Sequence, residues 1–217
     1  MNYMAADEKF RFYAVKLSIL CVIVFVFQSI FSSFTDALVL DSRVYWEVWR
    51  LVTAIFLHGS VIHLVYNLFA LLLFGSIAER LAGGKKFLIV FFASGILANL
   101  VAVNFYSSSL GASGAIFGII GLIVVMRPTM AVWAYGLPMP MFIAGILWVV
   151  GDLIGVYGFA VGNPIDNTGN IVHLIGMAIG LIFGMIYRNW TRREREQKII
   201  IDEGSMRNWE DTYMGGR

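Results

Sequence analysis

The sequence predicts an all-α membrane protein, a bundle of six transmembrane helices, and three observations lead there. The first is composition. Of 217 residues, 59% are hydrophobic and 14% are charged, with a mean hydropathy of +0.78. A water-soluble domain carries about a quarter charged residues. The second is that the apolar residues fall into six runs of roughly membrane-crossing length, separated by charges, prolines and glycines. The third is where the cations lie. With the N-terminus in the cytoplasm, six crossings put 14 of the 16 Lys and Arg inside and leave only Arg43 and Arg50 outside. That bias sets the expected orientation of a multi-pass protein of the cell membrane, with both termini cytoplasmic.

The chain divides into a cytoplasmic N-terminal segment (1–16), a membrane-embedded part (17–187) and a charged cytoplasmic tail (188–217). The first apolar run, Leu17 to about Phe34, is not followed by a small-residue cleavage site, so it reads as a retained helix rather than a signal peptide. Residues 35–60 hold Trp46, Trp49 and Arg50, and the aromatics suit short helices at a bilayer interface. A second span runs from about Val61 to Ala82, and Glu79-Arg80 with Gly83-Gly84-Lys85-Lys86 form a polar turn at its end. The third covers Phe87 to about Phe105, and the fourth runs from Gly111 to Met126, where Arg127-Pro128 ends it. Pro138 and Pro140 interrupt the next apolar stretch, so the fifth helix is expected to start near Met139. Gly162 to Gly169 form a loop, and the sixth span covers Asn170 to Tyr187. In the tail, Ile199 to Ile201, Trp209 and Tyr213 either rest on the membrane surface or are solvated.

Candidate chemistry gathers at the starts of three spans. Gly111-Ala112-Ser113-Gly114 opens the fourth. A serine between glycines at a helix start is open to approach and lies beside unpaired backbone N–H groups, which suits a nucleophile. The plainer reading is a small-residue packing face. His63 and Asn67 are four apart on one face of the second span. Both are expensive in hydrocarbon unless partnered or wet, so they either tie helices together or supply oxyanion donors. His173 opens the sixth span, followed by Gly176, Gly180 and Gly184 at four-residue steps. The fourth span has a similar stripe at Gly114, Gly118 and Gly121. Packing of the two stripes would bring His173 beside Ser113 as a general base.

Together, Trp49-Arg50, His58-x4-His63-x3-Asn67, Gly111-x-Ser113-Gly114 and His173-x2-Gly176-x3-Gly180 resemble the rhomboid family of intramembrane serine proteases. The motifs stand in the family order and cover residues 17–187. The resemblance implies a rhomboid-like six-helix bundle with a water-filled cavity open to the outer face. Ser113 would be the nucleophile and His173 the base. His63, Asn67 and the Ser113 N–H would form the oxyanion hole. Gly111 matches the small residue before the serine, and Asn170 a residue lining the same pocket. Glu79 and Arg80 match a polar pair with a structural role. Many members carry tyrosine four residues after the serine, where this chain has Phe117. Its ring is expected to pack against His173. The implied partners are transmembrane protein substrates within the lipid bilayer.

Other classes fit less well. His-Glu-x-x-His is absent, no carboxylate is spaced to join the three histidines, and no metal or other cofactor is expected. Asp152 is the lone carboxylate inside a span, which excludes an aspartyl protease. It is expected either to line the side where substrate enters or to make a polar contact with a neighbouring helix. No inverted repeat supports a transporter. No nucleic-acid motif or basic patch appears. A single cysteine, Cys21, allows no internal disulfide. The remaining alternative is a catalytically inactive rhomboid-like protein that binds membrane proteins, and retention of both Ser113 and His173 speaks against it.

Overall fold

The structure, a computed structural model, describes residues 10–44, 46–163 and 169–213. Helix α1 spans Tyr13–Ile30, and a one-residue break at Phe31 separates it from α2, Ser32–Leu38. The loop then forms β1, Leu40–Asp41, and α3, Arg50–Thr53. The second span is a continuous helix from Val61 to Ala82 built of α4, Val61–Ala70, a wider π-helical turn, Leu71–Gly75, and α5, Ser76–Ala82. Next come α6, Gly84–Ala102, β2, Ser108–Ser109, and α7, Ser113–Met126. A hairpin of β3, Ala131–Ala134, and β4, Leu137–Pro140, leads into α8, Met141–Ala160, and finally α9, Asn170–Tyr213.

Five of these helices are long and apolar enough to cross a bilayer, and α7 is the sixth and shorter one. The expected all-α membrane bundle is what the chain forms. Most exposed side chains of α1, α4 and α8 are apolar, among them Ile23, Phe27, Phe69, Ile146 and Leu153, as lipid-facing surfaces must be. Helix α7 lies at the centre, with Gly114 to Ile123 buried except Phe117. Its sequence is apolar all round, the pattern of a helix enclosed by others.

Several ends have identifiable causes. Ser60 caps α4 by accepting a hydrogen bond from the His63 N–H at 3.1 Å. Glu79, buried at 2% exposure, accepts from the backbone N–H groups of Arg11 and Ala14, so its carboxylate stands at the N-terminus of α1. That contact gives Glu79 the structural place expected of it. Arg50 bonds the carbonyls of Asp36 and Val39 at 2.7 Å each and pairs with Glu47, gathering the first loop around itself. Antiparallel pairing of β1 with β2 ties that loop to Ser108 and Ser109.

Several boundaries differ from expectation, the first helix among them, beginning at Tyr13 rather than Leu17 and breaking at Phe31. The third span begins at Gly84, inside the expected polar turn, and ends at Ala102. Helix α8 starts at Met141 rather than near Met139, because Pro138 and Pro140 belong to β4. There they face Trp133 and Ala131 in a two-stranded ribbon, an edge setting that tolerates proline. Tyr135 and Gly136, both at positive φ, make its turn. The sixth helix runs on unbroken past Tyr187 to Tyr213. Most of the N-terminal segment, the 164–168 part of the loop before α9, and the side chains of Ile199 to Ile201, Trp209 and Tyr213 lie outside the described residues.

Candidate active site

The site is built on the shortness of α7. Fourteen residues make a helix about 21 Å long, some 9 Å less than a hydrocarbon core. Its first residue, Ser113, lines the cavity described below. Ala112 precedes it with no side-chain cap, so the first-turn N–H groups have no side-chain acceptor there. Before that, Gly111 has φ +124°, a conformation that strongly favours glycine. A Cβ at Gly111 would lie 2.8 Å from the His63 ring. The missing side chain is what lets the imidazole pack on the turn leading to Ser113.

The glycine stripes of α7 and α9 meet as expected. A Cβ on Gly176 would lie 2.0 Å from the Gly114 carbonyl oxygen, and one on Gly180 1.9 Å from that of Gly118. The two helices thus touch backbone to backbone. This register sets His173 level with the start of α7. Its imidazole lies flat on Phe117, with ring centroids 4.1 Å apart and planes 6° apart. The expected packing of Phe117 on the histidine is present, and the Phe117 ring does not point into lipid.

Ser113, His173, His63, Asn67, Gly111, Phe117 and Asn170 all line one cavity of about 1360 Å³. The cavity continues between α4 and α8, where Phe69, Leu73, Phe74 and Trp148 wall it, and reaches Trp133 and Tyr135 of the hairpin. Asn67 donates one N–H of its side-chain amide to the His63 carbonyl at 2.9 Å. An amide NH2 has a second N–H. Asn67, Asn170 and His173 are buried, at 6–8% exposure.

His58 stands behind this wall. Its backbone N–H donates to the Gln28 side chain, and its Nδ1 faces the Phe56 carbonyl at 3.2 Å. Burial pushes this imidazole down to about 4, so it is neutral near pH 7. Its ring centroid is 5.1 Å from that of His63, which places it as a brace for His63.

Asp152 corrects one of the two roles left open for it. It does not line the cavity. It is buried, at 7% exposure, and its Oδ1 lies 3.0 Å from Nδ1 of His173. The contact is a polar one with a neighbouring helix, and that neighbour is the candidate base. No sequence motif links the two residues. The one signal was the rarity of a carboxylate inside a span.

Comparisons with known proteins identify the family. The family model described as the Rhomboid domain matches residues 45–190. The chain is 38% identical over 133 residues to "Rhomboid protease GluP" of Bacillus subtilis, covering 60% of this chain and 25% of that protein. It is 35% identical over 145 residues to "Rhomboid-like protease 1" of Toxoplasma gondii, covering 65% and 47% respectively. With "Rhomboid protease GlpG" of Serratia proteamaculans it shares 26% over 184 residues, covering 81% and 61%. The chain thus spans between 25% and 61% of the lengths of these relatives. Because the Rhomboid domain takes in every helix from the first loop to the sixth span, the chain belongs to the rhomboid family.

Proposed function

We propose that the chain is an intramembrane serine endopeptidase that cuts transmembrane segments of other membrane proteins. The observation that carries this reading is the convergence of Ser113 and His173 on one wall of a cavity lying among apolar helices. The relatives' names as proteases support it.

The reaction follows from the groups present. The Ser113 hydroxyl attacks a peptide carbonyl while His173 takes its proton. The carbonyl oxygen becomes an oxyanion, and three donors would stabilise it: the Ser113 backbone N–H, the second N–H of Asn67, and His63. The tetrahedral species collapses to an acyl-enzyme as His173 returns the proton to the leaving amine. Water in the cavity then attacks the ester, with His173 again as base. The apolar walls raise the strength of each electrostatic contact.

The distribution of Lys and Arg supports a cavity mouth at the outer face and both termini in the cytoplasm. A substrate helix reaching the cavity would pass between α4 and α8, where the walls are apolar. It would need to unwind locally to present a carbonyl, so small or helix-breaking residues favour cleavage.

Cleavage of a membrane-embedded substrate in detergent and in liposomes tests the reading. Ser113→Ala and His173→Ala should each abolish it while the protein still folds. A serine-reactive fluorophosphonate should label the parent and not Ser113→Ala. Labelling that persists in Ser113→Ala, or turnover that persists in His173→Ala, would overturn the assignment.

A further inference from the structure

Asp152 stands where an ionisable group is costly, inside an apolar span and away from the cavity. Its place is set by how α8 meets α9. At Gly155, a Cβ would fall 2.2 Å from the side-chain nitrogen of Asn170, so the helices approach closely there. They run antiparallel along this face. One turn back along α8 from Gly155 is Asp152, and one turn on along α9 from Asn170 is His173. The close approach at Gly155 thus brings carboxylate and imidazole together at 3.0 Å, both nearly out of solvent.

We propose that Asp152 is the positioning residue of the catalytic unit, accepting the Nδ1–H of His173 and so fixing the orientation and tautomer of the base. This rests on Ser113 and His173 acting as nucleophile and base. Stacking on Phe117 holds the plane of the imidazole. It does not distinguish the two orientations related by a half-turn within that plane, which exchange Nδ1 with Cδ2 and Nε2 with Cε1. Only a partner at the ring edge makes that distinction, and Asp152 is that partner. With the proton held on Nδ1, Nε2 carries a lone pair and can take the Ser113 proton. The imidazolium so formed keeps its Nδ1–H on the Asp152 oxygen, and that contact lowers the energy of the charged state. When Nε2 returns its proton to the leaving amine, the pair is back where it began.

Other titratable groups near the pair are few. His63, on α4, is within electrostatic reach of His173, and Tyr135, in the hairpin, of Asp152. The second oxygen of Asp152 has no hydrogen-bond partner among the described residues. A carboxylate serving only as a strut would be expected to have both oxygens engaged.

Nitrogen-15 NMR of the histidine side chains in detergent reads the tautomer directly, without needing proteolysis. The chain has three histidines, and His173→Ala assigns the signal. In the parent, neutral His173 should carry its proton on Nδ1. In Asp152→Asn the proton should redistribute toward Nε2, and kcat should fall roughly 10²–10⁴-fold, the range of general-base catalysis, with KM little changed.

A parent spectrum with the proton on Nε2 would overturn the proposal, even if Asp152→Asn fails to fold. So would an Asp152→Asn enzyme with parent kcat and a lowered melting temperature, the mark of a helix tie. If Ser113→Ala still cleaved substrate, the serine-protease reading would fail by itself, and the His173 spectrum would still decide the Asp152 contact.

Discussion

The two flanks of α7 are built by opposite means. Toward α9 the contact is backbone on backbone, with glycine facing glycine and no room for a methyl group. Toward the gap between α4 and α8 the walls are large side chains around a cavity, and Phe74 meets Trp148 edge to face at 5.7 Å across it. The first flank carries Ser113 and His173 and holds their helices in one register. The second leaves the volume that a substrate would fill. A catalytic pair split between two helices needs the tight flank, because a shift of about 1 Å in either helix spoils the alignment of reacting atoms. Room for an unwound peptide needs the loose one.

Enlarging a glycine in the tight flank should have the largest effect. In Gly180→Ala the new methyl would sit 1.9 Å from the Gly118 carbonyl oxygen, and backbone cannot step aside as a flexible side chain would. Stability should fall by at least about 1–3 kcal/mol, the usual cost of overpacking. Activity should be lost as Ser113 and His173 separate. Thermal unfolding in detergent and a cleavage assay on the same preparation test this. Parent behaviour in both would mean that the seam is not as tight as drawn.

Asn67→Ala acts across the cavity, on the loose side, and should spare the fold. The expected loss is roughly 10²–10³-fold in kcat, the range for one oxyanion donor. KM should change less, because the oxyanion exists only in the transition state. A lowered melting temperature with parent kcat would instead make Asn67 a tie within its own helix, as its bond to the His63 carbonyl allows.

Phe117 lies between the flanks, and its substitutions grade the effect of ring packing alone. Phe117→Ala removes a stack worth about 0.5–1.5 kcal/mol, so kcat should drop by about 2- to 10-fold. Phe117→Tyr keeps the ring and should be nearly neutral. A Tyr variant as impaired as the Ala variant would show that the ring face is not what matters.

The smallest effect is expected at Gly151, which sits on α8 with nothing within 4 Å of where a Cβ would be. Gly151→Ala should change stability by less than about 0.5 kcal/mol, or raise it slightly by restricting the unfolded chain. Set against Gly180→Ala, it separates glycine as a packing device from glycine as mere composition. A large loss at Gly151 would extend the tight seam to α8.

Much of the candidate site was legible because its residues are local in sequence or lie on periodic stripes. Ser113 between glycines, His63 four before Asn67, and His173 ahead of its glycine ladder each mark one helix face. The matching ladders on two spans also foretold which helices meet. Other features left no such trace. The hairpin from Ala131 to Pro140 reads as part of an apolar run, because its two prolines sit in β4 without breaking the ribbon. The buried place of Glu79 at the start of α1 joins residues more than sixty positions apart.

The sequence by itself determined that six apolar helices cross a membrane, since hydrocarbon leaves few other ways to satisfy a backbone. The tertiary structure decided which way each helix is rotated. Periodicity tells that Asp152 lies on some face of α8, yet both lipid and protein are apolar, so pattern does not say which face turns inward. The close approach of Gly155 to Asn170 settles that rotation, and with it the meeting of Asp152 and His173.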